Sequence, residues 1–126
     1  HYVYNWLGEL EQEIVSDVDI PTGNVILGMS FDKEGNDEQR SATGTATLFI
    51  NDEQVGQQSI KTQPGKFMLA GEGLNVGKDP GGPVSTTAYT APFAFTGGAI
   101  REVIIDVSGQ AYVDLELEAI GMMSRD

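Results

Sequence analysis

The 126-residue sequence contains no cysteine. Disulfides, thiolate metal sites and cysteine nucleophiles are excluded at once. There is a single histidine, His1. A Ser-His-Asp triad, a histidine-based zinc site and histidine general-base catalysis therefore lack their usual residue. Basic side chains are scarce as well, 7 Lys and Arg against 19 Asp and Glu, for a net charge of −12. Such a surface repels phosphate backbones and anionic membranes, so neither nucleic acid nor membrane is expected as a partner. No apolar run approaches the roughly 18 residues of a membrane span. None of these absences decides the compartment, which stays open between periplasm, secretion and cytoplasm.

Against these absences stand 40% hydrophobic residues and 16 glycines. The length suits one domain, here residues 1–126, and the glycines suit many turns between short strands. The alternation of Tyr2, Tyr4 and Trp6 with Val3, Asn5 and Leu7 predicts a strand. Residues 9–16 read as extended, and Asp17, Val18, Asp19 and Ile20 alternate cleanly. The alternation is clearest from Val25 to Phe31. Asp32 to Gly44 reads as a polar loop. Two further strands, 45–50 and 55–61, form a hairpin across Asn51–Gln54. The tetrapeptide Asn-Asp-Glu-Gln, at 36–39 and 51–54, reads as turn chemistry used twice. Short strands are expected at 67–70 and 74–76, and Gly77–Pro83 opens a long loop that runs to Pro92.

The longest β-branched run follows. Phe93 to Val107, with Ile100, Val103, Ile104, Ile105 and Val107, predicts a strand apolar on both faces at the centre of a sheet. After Gly109 the period changes. Tyr112, Leu115, Ala119 and Met122 share a helical face, with acids early and Arg125 late, which predicts a short C-terminal helix. The expected class is all-β and mostly antiparallel, a two-sheet sandwich of roughly seven strands.

Chemistry-bearing clusters are few. Asp32, Glu34, Asn36, Asp37 and Glu38 crowd oxygen atoms into one stretch of the kind calcium favours. No EF-hand spacing or flanking helices accompany them, and the plainer reading is a solvated loop. Asp79 is the other candidate metal ligand. Tyr2, Tyr4 and Trp6 are a candidate sugar-stacking platform, although an aromatic strand face more often packs in a core. Gly71–Gly82 lacks the Gly-Lys-Ser/Thr of a phosphate loop. No catalytic residue and no cofactor-binding residue can be named.

Four segments occur in a telling order: His1 to Gly8, Gly44 to Ile50, Leu74 to Asp79 with Pro83 to Ser85, and Phe95 to Ile100 running on to Val107. Together they resemble the C-terminal region of bacterial arylsulfatases, over essentially the whole chain. The segments Leu74 to Gly77 and Phe95 to Val103 are similar, more loosely, to laminin-G and concanavalin-like sandwiches. The resemblance implies a jelly-roll or concanavalin-like fold and a larger catalytic domain preceding this one. That domain would carry calcium and a formylglycine within a Cys/Ser-x-Pro-x-Arg signature. The signature is missing here, so no catalytic residue is carried over. The family's hairpin turn is usually of Asp-Gly type, and Asn51–Gln54 stands in its place as a longer connection. The chain is expected to be a C-terminal fragment that packs on its own catalytic domain, shapes the active-site rim or supports oligomerisation. An independent carbohydrate-binding module acting through loops 32–44 and 77–92 is the alternative. Homo-oligomerisation is expected through the edge of the strand at 1–7.

Overall fold

The computed structural model describes residues 1–64, 73–107, 109 and 122–123. These are almost entirely strand and loop, and all strand pairings are antiparallel. Among the described residues seven strands are formed: β1 (Tyr2–Trp6), β2 (Leu10–Ile14), β3 (Leu27–Asn36), β4 (Ser41–Ile50), β5 (Glu53–Pro64), β6 (Lys78–Asp79) and β7 (Phe93–Ala94). They make a β1–β2 hairpin, a β3–β4–β5 meander and a two-residue ladder of β6 with β7.

The meander holds the core. Along β4, Ala46, Leu48 and Ile50 recur at every second residue and are buried. That period places them on one face of the sheet. Phe31 pairs with Ala46 and Met29 with Leu48 on one side; Gly56 pairs with Leu48 on the other. Val55 breaks the parity. It is the extra residue where Leu48 pairs with Gly56 but Phe49 pairs with Gln54, and this bulge lets Val55 join the buried cluster with Ile60. Ile14 completes the cluster from β2, with Tyr2, Val25 and Phe31 packed against it.

The β1–β2 hairpin closes the outer edge of β5 with side chains. Gln12 acts as a strand would: its amide donates to the Lys61 carbonyl at 2.6 Å and accepts from the Lys61 N–H at 2.9 Å. The Gln63 N–H donates to the Tyr4 hydroxyl at 2.9 Å, and the Asp17 N–H donates to the Val55 carbonyl at 2.6 Å. Edge groups that would otherwise invite another chain are thereby occupied.

Several expectations need correction. The stretch 32–44 is not one loop, because β3 runs through Asp32, Glu34 and Asn36, and only residues 37–40 connect it to β4. Cross-strand pairing continues across a bulge at Glu34 and carries the polar residues with it. The second hairpin has a two-residue turn, not a longer connection: Ile50 pairs with Glu53, and Asn51 and Asp52 take φ of 51° and 68°. Both angles are the left-handed values of a type I′ turn, which Asn and Asp tolerate. Both Asn-Asp-Glu-Gln tetrapeptides do fall at hairpin turns. Residues 17–20 and 74–76 form no strand and are exposed. The largest correction concerns 93–107. Only Phe93–Ala94 is strand; Ile100 to Val107 forms no strand and is exposed. Apolar alternation makes a strand only where a neighbour supplies the ladder, and among the described residues none does so here. The strand expected at 67–70 lies outside the described residues, as does most of the expected helix; Met122–Met123 are helical.

Candidate functional site

The most connected polar cluster joins the hairpin to residues 78–94. It starts from register. Asn5 of β1 stands directly opposite Glu11 of β2. The Asn5 amide donates to the Val84 carbonyl at 2.8 Å. Its carbonyl oxygen accepts from the Gly8 N–H at 2.8 Å, fixing the turn in which Leu7 and Gly8 have φ of 51° and 77°. Glu11 accepts from the Ser85 hydroxyl at 2.9 Å and the Thr86 hydroxyl at 2.7 Å, and from the Thr86 N–H as well. One cross-strand pair thus grips three consecutive residues, 84 to 86.

Ser85 is the pivot. It is 1% exposed, and its hydroxyl also accepts from the Ala88 N–H at 3.1 Å. A serine that receives backbone N–H groups two and three residues ahead starts a tight turn, here 86–88. The turn returns Tyr89 towards Val84, whose N–H donates to the Tyr89 hydroxyl at 2.8 Å. That hydroxyl donates to Asp79, which also accepts from the Gly81 N–H at 3.2 Å. Tyr89 packs against Phe93 with ring centroids 5.2 Å apart. The Phe95 N–H closes the loop on the Gly77 carbonyl at 2.8 Å.

The electrostatics follow the donors. Hydrogen bonds from the Thr86 side chain, the Thr86 backbone and Ser85 hold Glu11 below the usual carboxylate range. The Tyr89 hydroxyl does the same for Asp79, helped by the Gly81 N–H. In turn the Asp79 carboxylate raises the Tyr89 phenol above its ordinary value. Each shift has hydrogen bonding to the charged or neutral form as its largest cause. Both carboxylates are kept ionised and both are occupied. The cluster is a latch that fixes the 78–94 loop on the hairpin.

The candidate ligands from the sequence are dispersed. Asp32 is exposed on β3 opposite Thr45. Glu34 accepts from the Thr45 hydroxyl at 2.6 Å. Asn36 is half-buried at the end of β3. Asp37 lies in the β3–β4 turn, where it accepts from the Gln39 and Ser41 N–H groups at 2.9 and 2.8 Å and pairs with the Lys61 ammonium at 2.8 Å. The Lys61 contact is the main reason its pKa is lowered. Asp79 belongs to the latch. Among the described residues no three His, Asp or Glu side chains converge to hold a metal ion. Tyr2, Tyr4 and Trp6 are half-buried, and the Tyr4 hydroxyl is engaged by β5. A shallow groove of about 640 Å³ between 18–21 and the β4–β5 turn is lined by Val18, Asp19, Ile50, Asp52 and Val55.

Sequence reasoning missed Glu11, Gln12, Ser85, Thr86 and Tyr89. A weak signal existed for the loop: Ser-Thr-Thr just after a proline is turn-starting chemistry. For Glu11 the spacing carried no signal, because its partners lie 74 and 75 positions away.

No family model matches the chain, and no curated protein or solved structure matches it.

Proposed function

We propose that the chain is a non-catalytic accessory domain from the C-terminal region of an arylsulfatase-like sulfate-ester hydrolase. It packs on the catalytic domain or supports its oligomerisation. The ordered set of sequence segments carries this reading. Their placement supports it. The first segment is β1 with its turn, and the second lies inside β4. The third and fourth are neighbours in space: the Phe95 N–H donates to the Gly77 carbonyl at 2.8 Å, and Ile100 Cδ1 would lie 3.8 Å from a Cβ at Gly77. Pieces that recur together in a family are expected to touch in this way. On this reading the antiparallel sheets belong to a jelly-roll or concanavalin-like sandwich. Calcium and formylglycine belong to the catalytic domain, and no residue of this chain is assigned to them.

The test is the coding region upstream of His1, together with assay of the isolated chain. A Cys/Ser-x-Pro-x-Arg signature is expected upstream, and no sulfate-ester turnover by the 126 residues alone. An upstream region without the signature, or turnover by the isolated chain, refutes the proposal.

One observation favours the second reading, a carbohydrate-binding module. Phe93 is half exposed beside Tyr89 and Asp79, an aromatic face next to a carboxylate on loop 77–92. Sugar rings stack on such faces through their C–H groups. Calorimetric titration against a glycan panel decides it, with binding expected to vanish in Phe93→Ala.

A further inference from the structure

The groove of about 640 Å³ at one end of the meander is lined by Val18, Pro21, Ile50 and Val55. Both of its walls are tied down. Residues 18–21 are anchored on β5 by the Asp17 N–H, which donates to the Val55 carbonyl, and by Ser16. The Ser16 hydroxyl donates to the Val18 carbonyl at 2.7 Å and accepts from the Val18 N–H at 3.2 Å. The other wall is the β4–β5 turn. There Asn51 takes up both backbone groups of Ile26: its N–H donates to the Ile26 carbonyl, and its side-chain oxygen accepts from the Ile26 N–H, each at 2.9 Å. Three exposed carboxylates complete the lining, Asp19, Asp52 and Glu53. Glu11, Asp37 and Asp79 are occupied by hydroxyl or ammonium donors, but among the described residues no cation pairs with these three. The apolar surface continues past the groove. Val18 and Ile20 are each 55% exposed and Ile26 74%. A second hollow of about 360 Å³ shares Asp52 with the first and is lined by Ile26, Met29 and Phe49.

We infer that this end of the sheet docks a basic segment of another protein. A lysine or arginine of that segment lays its methylene stem along Val18, Ile50 and Val55 and sets its charged head among Asp19, Asp52 and Glu53. Long cationic side chains bury the stem and keep the head in water, which is what an apolar groove with a carboxylate rim matches. Charge selects the occupant. The rim repels phosphate and sulfate groups, and a second copy brings its own net charge of −12 to the same place. Extent selects a peptide over a free amine. A linear polyamine satisfies the rim and leaves Ile20, Ile26 and the second hollow uncovered, whereas a segment with apolar residues beside its cation covers both. The inference is independent of the sulfatase and sugar-binding readings.

The test follows amide shifts of the full chain by NMR as acetyl-Val-Lys-Leu-Arg-Val-amide is added. Saturable shifts are expected at 18–21, 26 and 50–55, and none with acetyl-Val-Glu-Leu-Glu-Val-amide. Asp19→Asn, Asp52→Asn and Glu53→Gln together are expected to weaken binding about tenfold or more, at about two- to fivefold for each exposed ion pair. The three changes are isosteric, and asparagine suits the positive φ at 52, so the spectrum of the free variant should report an intact fold. Val18→Ser removes apolar lining and should weaken binding about threefold. Glu9→Gln, Asp32→Asn and Glu38→Gln together change the net charge equally. Glu9 and Glu38 sit in other turns and Asp32 midway along β3, so binding should stay within about twofold at about 0.1 M salt. Spermidine carries more charge than the basic peptide, yet is expected to bind more weakly. No saturable shift at the groove, equal weakening by the remote substitutions, indifference to Val18→Ser, or spermidine binding as tightly as the peptide overturns the inference.

Discussion

Gly44 lies in the middle of β4, opposite Lys33 and beside the bulge of β3. A Cβ built there would stand 2.2 Å from the Asp32 carbonyl oxygen, 2.9 Å from the Lys33 Cα and 2.9 Å from a Phe31 ring carbon. Two of these are backbone atoms of the paired strand, so no side-chain rotation relieves them. Gly44→Ala must push β3 away from β4 at the bulge or open the ladder there. Overpacking a well-packed site costs about 1–3 kcal/mol, and a backbone clash falls at or above the top of that range. Alanine lowers the entropy of the unfolded chain by about 0.4–1 kcal/mol, which offsets part of the cost. The net expectation is a loss of about 2–3 kcal/mol. Urea unfolding measures it: with a slope of about 1–3 kcal/mol/M, the midpoint should fall by about 1 M or more at unchanged slope. Gly35→Ala is the internal control. It sits on the other side of the same bulge, where the nearest atom to a new Cβ is the Thr43 hydroxyl at 3.9 Å. Gly35→Ala should therefore be close to neutral. Equal midpoints for the two variants would refute the claim that close approach at the bulge is what requires glycine at 44.

Three further outcomes are expected. Gln12→Leu strips the side-chain bonds from the Lys61 N–H and carbonyl and should cost about 1–3 kcal/mol in urea unfolding; Gln12→Glu, which keeps only the acceptor, should not restore full stability. Glu11, Asp37 and Asp79 all have folded pKa values below their unfolded ones, so the stability they contribute is present above the ordinary carboxylate range and is lost as pH falls through their depressed values; Glu11→Gln should flatten the acid limb of a urea-midpoint profile, and an unchanged limb would refute the latch electrostatics. Asp52→Gly relieves a φ of 68° and should raise stability by about 0.5–1 kcal/mol, read as a higher melting temperature.

What was legible in the sequence is what depends on near neighbours. Period-two alternation located β1, β3, β4 and β5, because a strand with one buried face must repeat every second residue. The sequence places a turn at 51–54, two residues longer than the one at 51–52, since nothing local says that both Asn51 and Asp52 accept positive φ when a two-residue turn needs it. The polar run at 32–44 reads as loop because polarity is visible locally and the pairing of β3 with β4 is not. An edge strand keeps one side in water and carries Asp32 and Glu34 without cost. The apolar run at 100–107 failed in the opposite sense, because composition can describe a strand and cannot supply its neighbour. The latch was out of reach for a third reason. Glu11 and Ser85 are ordinary residues until the chain brings them within 2.9 Å.

The latch also ties two remote parts of the fold to one choice of register. Asn5 and Glu11 grip residues 84 to 86 only because they face each other across the β1–β2 ladder. A slip of one residue would turn Glu11 to the opposite face of the hairpin and bring Leu10 or Gln12 into its place. The same slip would withdraw Gln12 from the Lys61 backbone and Ile14 from the core. Three contacts of different kinds, a charged latch, an amide that stands in for a strand and a buried isoleucine, therefore all select the same register. In a hairpin of two five-residue strands, which is marginal by itself, this agreement is what holds the pairing, and it makes the position of the 78–94 loop a consequence of how β1 meets β2.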